Sequence, residues 1–444
     1  MRKGSRSFGR TVVGLLLLCV VAAPAAMSVP GASEKDIATW RSRRFGMFIH
    51  WGPVTLKGTK IGWSRGKQVP LEEYDNLYKR FNPIQFDADE WVRIAEDAGM
   101  KYMVMVTKSL GGFCLWPSKY TDHHIGNTPF GRDVLRELSD ACRKRSIAFG
   151  TYYCVADFRH PDYPSWQPPD FPENSVGGKT YKPNPNLDRY IEHMRNQVTE
   201  LIENYGPLST MWFDTPRLVF REHGIPTIEM VRKLQPDIMI NERVYTPQTN
   251  VGDYSTPEQK VGGFDRVRPW ETCMTLCGPQ WSWKPKDDPM KSLEKCVRIL
   301  LFTVGGDGNL LLNVGPMPDG RIEPRQVERL REMGKWVKKY GDGIHGTRGG
   351  PFKPDQKWGA STCKGNDIYL FVMKWPDEGP LRLPAIAMKI KSSKALSGGK
   401  VTVTQTHSRV LVDVSPDDRA DIATVIKLTV DGDAFEIKPV DVLK

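Results

Sequence analysis

The sequence lacks the motifs of several large enzyme classes. It contains no His-x-His or His-Glu-x-x-His pattern, which disfavours metal-assisted hydrolysis. No Gly-x-Gly-x-x-Gly follows the first predicted strand, which argues against a dinucleotide-binding fold. We therefore predict an enzyme or binding protein with no metal, nucleotide or haem cofactor.

The sequence also has no cluster of basic residues, although 63 Lys and Arg outnumber 52 Asp and Glu and give a net charge of +11. Because these charges are spread along the chain, we predict no nucleic-acid partner. Past the N-terminus no apolar run approaches the ~20 residues needed to span a bilayer, so we predict no membrane span. The eight cysteines are irregularly spaced, which argues against a disulfide framework and favours buried thiols.

The N-terminus has the pattern of a secretory signal peptide. Four basic residues precede an apolar run at 12–26, and small residues follow it. We predict a signal peptide over residues 1–28, with cleavage between Ala25 and Ser33. The protein is then expected to be exported, to a periplasmic, extracellular or lysosome-like compartment. Its net charge falls from +11 to +7 on cleavage, which would suit an acidic or sulfated glycan.

Strands and helices alternate between residues 34 and 348. Seven apolar runs of strand type are separated by segments of helical periodicity, and Asp87 with Glu90 forms a capping box at one helix start. Repeated strand–helix units imply parallel strands, and this number of units predicts a closed (β/α)8 TIM-like barrel over 34–348. Short alternating runs at 351–444 predict a C-terminal antiparallel β-sandwich domain.

Polar residues recur where the predicted strands end. In a (β/α)8 barrel the catalytic groups lie at the carboxyl ends of the strands. Asp214 is the clearest case, because the apolar strand in "STMWFDTP" ends on an acid, and a buried carboxylate is costly unless it has a partner or a function. The endings are His50-Trp51, Lys108-Ser109, Tyr152-Tyr153, Asp214, Arg243 and Glu271.

Two acids and many aromatic residues in an exported barrel favour glycoside hydrolysis. Specific motifs support this: "FNPIQFDADEWVRIAEDAGMKYMVMVTK", "WFD", "PWETCMTL" and "GNLLLNVGPMPDG" resemble, in sequence order, the exported α-L-fucosidases of glycoside hydrolase family twenty-nine. The resemblance runs from about residue 40 to 375. It implies a retaining exo-glycosidase that removes terminal α-L-fucosyl residues from glycans.

The resemblance also implies roles for individual residues. Asp214 matches the nucleophile, kept ionised by Arg243 and neighbouring donors. The predicted substrate-binding residues are His50, Trp51, Trp63, Lys108, Ser109, Tyr152, Trp212 and Arg243.

Two residues are candidates for the general acid, because its position varies in this family. Glu258 in "DYSTPEQ" is the first choice and Glu271 in "PWET" the second. Glu271 has an alternative interpretation as the ion-pair partner of Arg266 or Arg268.

The sequence departs from the family pattern at two places. "KSLGGF" stands where relatives commonly have Lys-His-His-Asp-Gly-Phe, and Gly62 stands where a Glu is usual. Three hypotheses follow. The first is a fucosidase in which residues such as His123, His124, Arg65 or Ser109 replace the lost contacts. The second is a related glycosidase for another or a sulfated sugar, of the α-L-galactoside type, and the third is a catalytically disabled carbohydrate-binding homologue. The sequence does not indicate the oligomeric state.

Overall fold

The computed structural model describes residues 31–164, 184–248, 251–285 and 288–442. The predicted signal peptide at 1–28 lies outside these residues. Within them, no helix has both the length and the apolar character needed to cross a membrane.

Seven parallel strands form the first sheet, in the order β5-β4-β3-β2-β1-β7-β6. They are β1 (Phe45–Ile49), β2 (Tyr102–Lys108), β3 (Ala148–Cys154), β4 (Thr210–Asp214), β5 (Met239–Ile240), β6 (Glu271–Thr275) and β7 (Asn309–Val314). Each corresponds to one of the seven apolar runs predicted as strands, which are "RFGMFIHWG", "KYMVMVTKS", "IAFGTYYCV", "TMWFD", "DIMINERV", "PWETCMTL" and "GNLLLNVGP". The sheet is a parallel half-barrel, and the full closed ring that we predicted is not shown. Between its two edge strands the described residues make isolated parallel bridges, from Asn241 to Tyr254 and from Ser255 to Trp270.

Helices lie between most of these strands. They are α1 (Glu34–Ser42), α2 (Leu71–Asn76), α3 (Ala88–Asp97), α4 (Val134–Lys144), α5 (Leu187–Tyr205), α6 (Arg221–Leu234), α7 (Leu293–Gly305) and α8 (Pro324–Tyr340). The Asp87 half of the predicted capping box is present, because the Asp87 carboxylate accepts a hydrogen bond from the backbone N–H of Glu90 at 3.0 Å. The Glu90 carboxylate instead accepts a hydrogen bond from Arg93 at 2.9 Å.

Every residue of β1, β2 and β7 is buried, as expected for parallel strands covered on both faces. Gly46 in β1 has a specific packing role, since a Cβ there would lie 2.5 Å from the Tyr102 ring. The glycine thus leaves room for Tyr102 to extend across the sheet interior, where its hydroxyl reaches Glu271 at 2.6 Å.

Antiparallel strands occupy the C-terminal part of the chain. One sheet has the order β12-β15-β10-β9-β8 and the other β11-β14-β13. Their side chains share one core that includes Leu370, Leu383, Val412 and Leu428. The strands are β8 (Arg348–Gly349), β9 (Gly359–Lys364), β10 (Asp367–Val372), β11 (Leu381–Pro384), β12 (Ile390–Ala395), β13 (Val401–Gln405), β14 (Arg409–Val414) and β15 (Thr424–Val430). The first of them, β8, begins before the domain boundary that we predicted at 351.

The two parts of the chain share apolar and ionic contacts. Leu301 of α7 and Tyr340 of α8 belong to one buried cluster with Phe371 of β10. Asp307, two residues after the end of α7, pairs with Arg44 at 2.6 Å and with Arg348 at 2.7 Å.

Candidate active site

Asp214 ends β4 and lies beside β3, where Tyr152 is the neighbour of Trp212 in register. One carboxylate oxygen, Oδ1, accepts a hydrogen bond from Arg243 Nη1 at 2.8 Å, and Oδ2 accepts one from the Tyr152 hydroxyl at 2.8 Å. Burial by itself would raise the pKa of Asp214, but the Arg243 charge and the donated hydrogen bonds outweigh it and hold that pKa below its ordinary value. Asp214 is therefore an ionised carboxylate at neutral pH.

Glu258 and Asp214 bind the same guanidinium nitrogen of Arg243. Its Oε2 is 3.0 Å from Arg243 Nη1, and its side chain is 43% exposed. Because Asp214 Oδ1 is 2.8 Å from that nitrogen, the two carboxylate oxygens lie within about 5.8 Å of each other, the sum of the two distances. The two acids are thus close neighbours, and retaining glycosidases need such a pair, with ~5–5.5 Å between the carboxyl groups.

Arg243 is fixed from three sides. Its Nε donates to the Thr256 hydroxyl at 2.8 Å, and its Nη2 donates to the Thr256 carbonyl at 2.9 Å. The guanidinium also lies over the Trp212 ring, 4.9 Å from its centroid. Its position between the two acids is thus set by the surrounding protein.

These groups line a cavity of about 690 Å³. Its size is within the range of about 300–1,000 Å³ that is typical of small-molecule sites. The predicted site residues that line it are His50, Trp63, Ser109, Tyr152, Trp212, Asp214, Arg243 and Glu258.

Three predicted site residues do not line this cavity: Trp51, Lys108 and Glu271. Trp51 is buried in the core, where its indole N–H donates to the Met317 carbonyl at 2.9 Å. Lys108 pairs with buried Asp157 at 3.2 Å and lies over the Tyr153 ring. Both contacts are structural, and they explain why a polar or aromatic strand ending need not face the substrate.

Glu271 begins β6, whereas the sequence pattern placed it near the end of a strand. It is fully buried, and it accepts hydrogen bonds from the Tyr102 hydroxyl at 2.6 Å and from the Trp212 indole N–H at 3.0 Å. Burial raises its pKa to about 7. The carboxyl group therefore orients the ring of Trp212 through this hydrogen bond. The Trp212 ring in turn contacts the Arg243 guanidinium and stacks with the Tyr152 ring, with 5.5 Å between the ring centroids.

The alternative pairing of Glu271 with Arg266 or Arg268 does not occur. Arg266 donates to the carbonyls of Gly349, Phe435 and Ile437. Arg268 donates to the Val251 carbonyl at 2.9 Å. These arginines connect loops, while Glu271 keeps its two uncharged donors.

His50 follows β1, and its protonation is set by a neighbour that we did not predict. Its Nδ1 lies 2.6 Å from the Asn313 side-chain oxygen, which can only accept, so Nδ1 carries the proton. Burial lowers the pKa of His50 to about 4, so the ring is neutral at pH 7. Nε2 is then a hydrogen-bond acceptor for a sugar hydroxyl.

Sequence reasoning missed several residues at the site. Asn313 follows three leucines in β7, and this polar residue near the end of a buried strand was a signal that the sequence contained. Trp281, Lys60 and Lys67 line the cavity from loops, and no local pattern distinguished them from other surface residues.

The two segments that we predicted to depart from the family pattern meet beside the cavity. Ser109 and Leu110 line it, and a Cβ on Gly62 would lie 2.7 Å from Leu110 Cβ. Among the suggested replacements, His123, His124 and Arg65 are not lining residues, and Arg65 pairs instead with Asp75 at 2.6 Å. Leu110 and Gly62 therefore fit each other sterically.

Ser64 lies in a Gly-x-Ser-x-Gly pattern at 62–66, which is typical of serine hydrolases. Its buried hydroxyl accepts a hydrogen bond from Thr59 at 3.0 Å and does not line the cavity. It also lies in a turn rather than between a strand and a helix. The pattern is thus no nucleophile site.

The family of the chain follows from comparison with known proteins. The family model described as alpha-L-fucosidase matches residues 24–342. The chain belongs to the alpha-L-fucosidase family. It is accordingly a glycoside hydrolase.

Relatives of this alpha-L-fucosidase family member cover most of its length. It is 28% identical to the plasma alpha-L-fucosidase of Homo sapiens, over 79% of each chain. It is 27% identical to the alpha-L-fucosidase of Branchiostoma floridae, over 79% of this chain and 82% of the other.

Solved structures show the same fold. Alpha-L-fucosidase isoenzyme 1 from Paenibacillus thiaminolyticus is 32% identical, with a TM-score of 0.80 over 89% of this chain and 99% of the other. A family twenty-nine alpha-L-fucosidase from Bacteroides thetaiotaomicron, solved as a trapped covalent intermediate with 2-fluoro-fucosyl fluoride, is 27% identical, with a TM-score of 0.79 over 90% and 99% of the two chains.

Proposed function

We propose that the protein is a retaining exo-glycosidase that hydrolyses terminal α-L-fucosyl residues of glycans, with Asp214 as nucleophile and Glu258 as general acid and base. The observation that carries this proposal is the arrangement of both carboxylates on Arg243 in one cavity. Membership of the alpha-L-fucosidase family supports it.

The first step forms a bond between an Asp214 oxygen and the anomeric carbon, while the bond from that carbon to the aglycone oxygen breaks. Glu258 gives its proton to the departing oxygen. In the second step Glu258 takes a proton from water, the water oxygen bonds to the anomeric carbon, and Asp214 leaves. Two inversions restore the original configuration of the sugar.

Arg243 and Tyr152 prepare Asp214 for this attack. They keep the carboxylate ionised and orient its oxygens, and buried Tyr152 remains protonated because burial and the Asp214 charge raise its pKa well above the ordinary value. Glu258 contacts Arg243 in the structure. It has to exchange that contact for the glycosidic oxygen as the substrate enters.

We also propose that the sugar-binding motif is altered. Leu110 cannot hydrogen-bond a hydroxyl, but it offers an apolar surface to the methyl group of fucose, and Ser109 beside it supplies a hydroxyl. The close approach of Gly62 to Leu110 supports this, since a larger residue at 62 would displace Leu110.

Hydrolysis of 4-nitrophenyl α-L-fucoside, beside other 4-nitrophenyl glycosides including the α-L-galactoside, tests the activity. We expect release from the fucoside, and a loss of about 10³-fold or more in kcat for Asp214→Asn but none for Asp140→Asn on the exposed surface of α4. Release from another glycoside alone would contradict the proposed substrate.

Azide tests the general acid. For Glu258→Ala we expect a loss of about 10²–10⁴-fold on a fucosyl disaccharide, whose leaving group needs protonation. With 4-nitrophenyl α-L-fucoside, whose leaving group departs without protonation, we expect a fucosyl azide product when azide is added. Azide should not rescue Glu271→Ala, because Glu271 does not line the cavity. Rescue of Glu271→Ala but not of Glu258→Ala would show that Glu271, and not Glu258, is the general acid.

Two further proposals concern the whole chain. The segment Tyr254 to Glu258 completes the ring between β5 and β6, supported by its parallel bridges to both sides.

Export is proposed from the signal peptide pattern alone, and N-terminal sequencing of the mature protein should find a start between residues 26 and 33.

A further inference from the structure

Two lysines and an aromatic ring border the cavity on the segment at 60–68. Lys60, Trp63 and Lys67 all line the cavity and are exposed, with Trp63 at 38%. Within the described part of the chain, neither lysine has an ion-pair partner. An exposed tryptophan at a cavity mouth is a flat apolar surface of the kind that contacts ligands.

This segment is held firmly in place. The Arg65 side chain is buried and forms two hydrogen bonds of 2.6 Å to the Asp75 carboxylate. The backbone N–H of Gly62 donates to the Tyr74 hydroxyl at 2.7 Å, and that of Ile61 donates to the Ser282 hydroxyl at 3.1 Å. The backbone that carries the two lysines and the ring therefore needs little ordering when a ligand binds.

The charges around the cavity are unevenly placed. Asp214 and Glu258 are the acids that line its described wall, and both contact Arg243. Lys60 and Lys67 add two positive charges at the rim, and Arg217, from the loop after β4, also lines the cavity. A ligand that enters the cavity thus meets a basic rim.

We propose that the segment at 60–68 forms a subsite for an anionic sugar attached to the fucosyl residue, with Trp63 stacking on that sugar and Lys60 and Lys67 binding its negative charge. This rests on the proposed function, because the anionic sugar is the leaving group of the fucosidase reaction. A sulfate ester and a uronic acid carboxylate share the recognised chemistry, a fixed negative charge on the ring.

Three fucosyl disaccharides of one linkage test the subsite: a neutral one with N-acetylglucosamine, its 6-O-sulfate, and one with glucuronic acid. We expect kcat/KM to be about threefold to tenfold higher for at least one anionic disaccharide than for the neutral one, as for two exposed ion pairs. The preference should shrink as salt rises from 0.05 to about 0.5 M. Equal values for all three disaccharides would overturn the proposal.

The lysines are tested by Lys60→Gln/Lys67→Gln, which should bring the anionic and neutral values together. The matched control Lys79→Gln/Lys119→Gln removes the same charge from exposed lysines outside the cavity and should keep the preference. Trp63→Ala should lower kcat/KM for the disaccharides much more than for 4-nitrophenyl fucoside. A preference that persists in Lys60→Gln/Lys67→Gln would contradict the assignment.

Binding separates a failure of this subsite from a failure of the proposed function. Calorimetry with Asp214→Asn compares the affinities for 6-O-sulfated and neutral disaccharide without turnover. Asp214→Asn should bind the sulfated disaccharide more tightly than the neutral one, and adding Lys60→Gln/Lys67→Gln should remove this difference. That result supports the subsite even if no fucoside is hydrolysed. Equal binding overturns it even if 4-nitrophenyl fucoside is hydrolysed.

Discussion

Arg243 connects the two acids of the site, and its charge is what keeps Asp214 ionised against the effect of burial. In Arg243→Gln the pKa of Asp214 should rise, so Asp214 becomes protonated at a higher pH. We expect kcat/KM to fall by about 10²-fold or more and the acidic limb of its pH profile to move upward. The measurement is the pH dependence of kcat/KM on 4-nitrophenyl α-L-fucoside, with exposed Arg93→Gln on α3 as control. An unmoved acidic limb would contradict this role.

The protonation of Glu271 makes the stability of the fold depend on pH. Burial raises its pKa from 4.5 to about 7, so between these values the folded state binds more protons than the unfolded state. Stability due to this group therefore falls as pH rises from 4.5 through 7. At ~1.4 kcal/mol for each pKa unit the loss is about 3 kcal/mol.

Glu271→Gln should abolish that loss, since an amide can accept from Trp212 and donate to the Tyr102 hydroxyl without titrating. Urea unfolding at pH 5 and pH 8 measures it. The free energy of unfolding of the variant minus that of the wild type should increase by about 2.5 kcal/mol from pH 5 to pH 8. A constant difference would show that Glu271 does not titrate in this range.

At the scale of elements, α8 packs directly on the end of α3 at a glycine. A Cβ on Gly334 would lie 1.8 Å from the Asp97 carbonyl oxygen, so Gly334→Ala has to push the two helices apart. We expect a loss of about 2 kcal/mol or more in the free energy of unfolding. Gly341→Ala is the matched control, because its Cβ would meet ordinary contacts at 3.7 Å. Equal stability of both variants would contradict the close packing.

The sequence predicted the strands of the first sheet well because each is a short apolar run between helices. It did not predict which polar residue at a strand end faces the cavity. Lys108 ends β2 and Asp214 ends β4, but only Asp214 of the two lines the cavity, because Lys108 forms an ion pair with Asp157. Such pairings depend on residues far apart in the chain, as does the hydrogen bond of Glu271 to Trp212. Local patterns therefore found the elements and part of the site, while long-range contacts decided the rest.

At the scale of the whole molecule, Asp307 connects the parallel sheet to the antiparallel sheets. Arg44, preceding β1, and Arg348 of β8 both pair with it, and Arg44 and Asp307 are fully buried. Although burial raises the pKa of Asp307, the two arginines outweigh it and hold that pKa below its ordinary value. The ion pairs are thus formed throughout the neutral range.

Asp307→Asn should destabilise the entire molecule, because it leaves the Arg44 charge buried without a counter-ion. We expect a loss of about 3–5 kcal/mol in the free energy of unfolding. Asp367→Asn, which breaks the partly exposed pair with Lys427, should cost less than about 1 kcal/mol. Denaturant unfolding followed by tryptophan fluorescence compares them. Similar losses for both would show that Asp307 does not hold the two parts together.

Covalent trapping tests the assignment of Asp214 most directly. The protein is incubated with 2-fluoro-fucosyl fluoride, digested, and its peptides are sequenced by mass spectrometry. We predict one 2-fluoro-fucosyl group, attached to Asp214 in the peptide that contains Trp212, and none in Asp214→Asn. A label on any other residue, or an enzyme that hydrolyses fucosides without ever being labelled, would contradict the account.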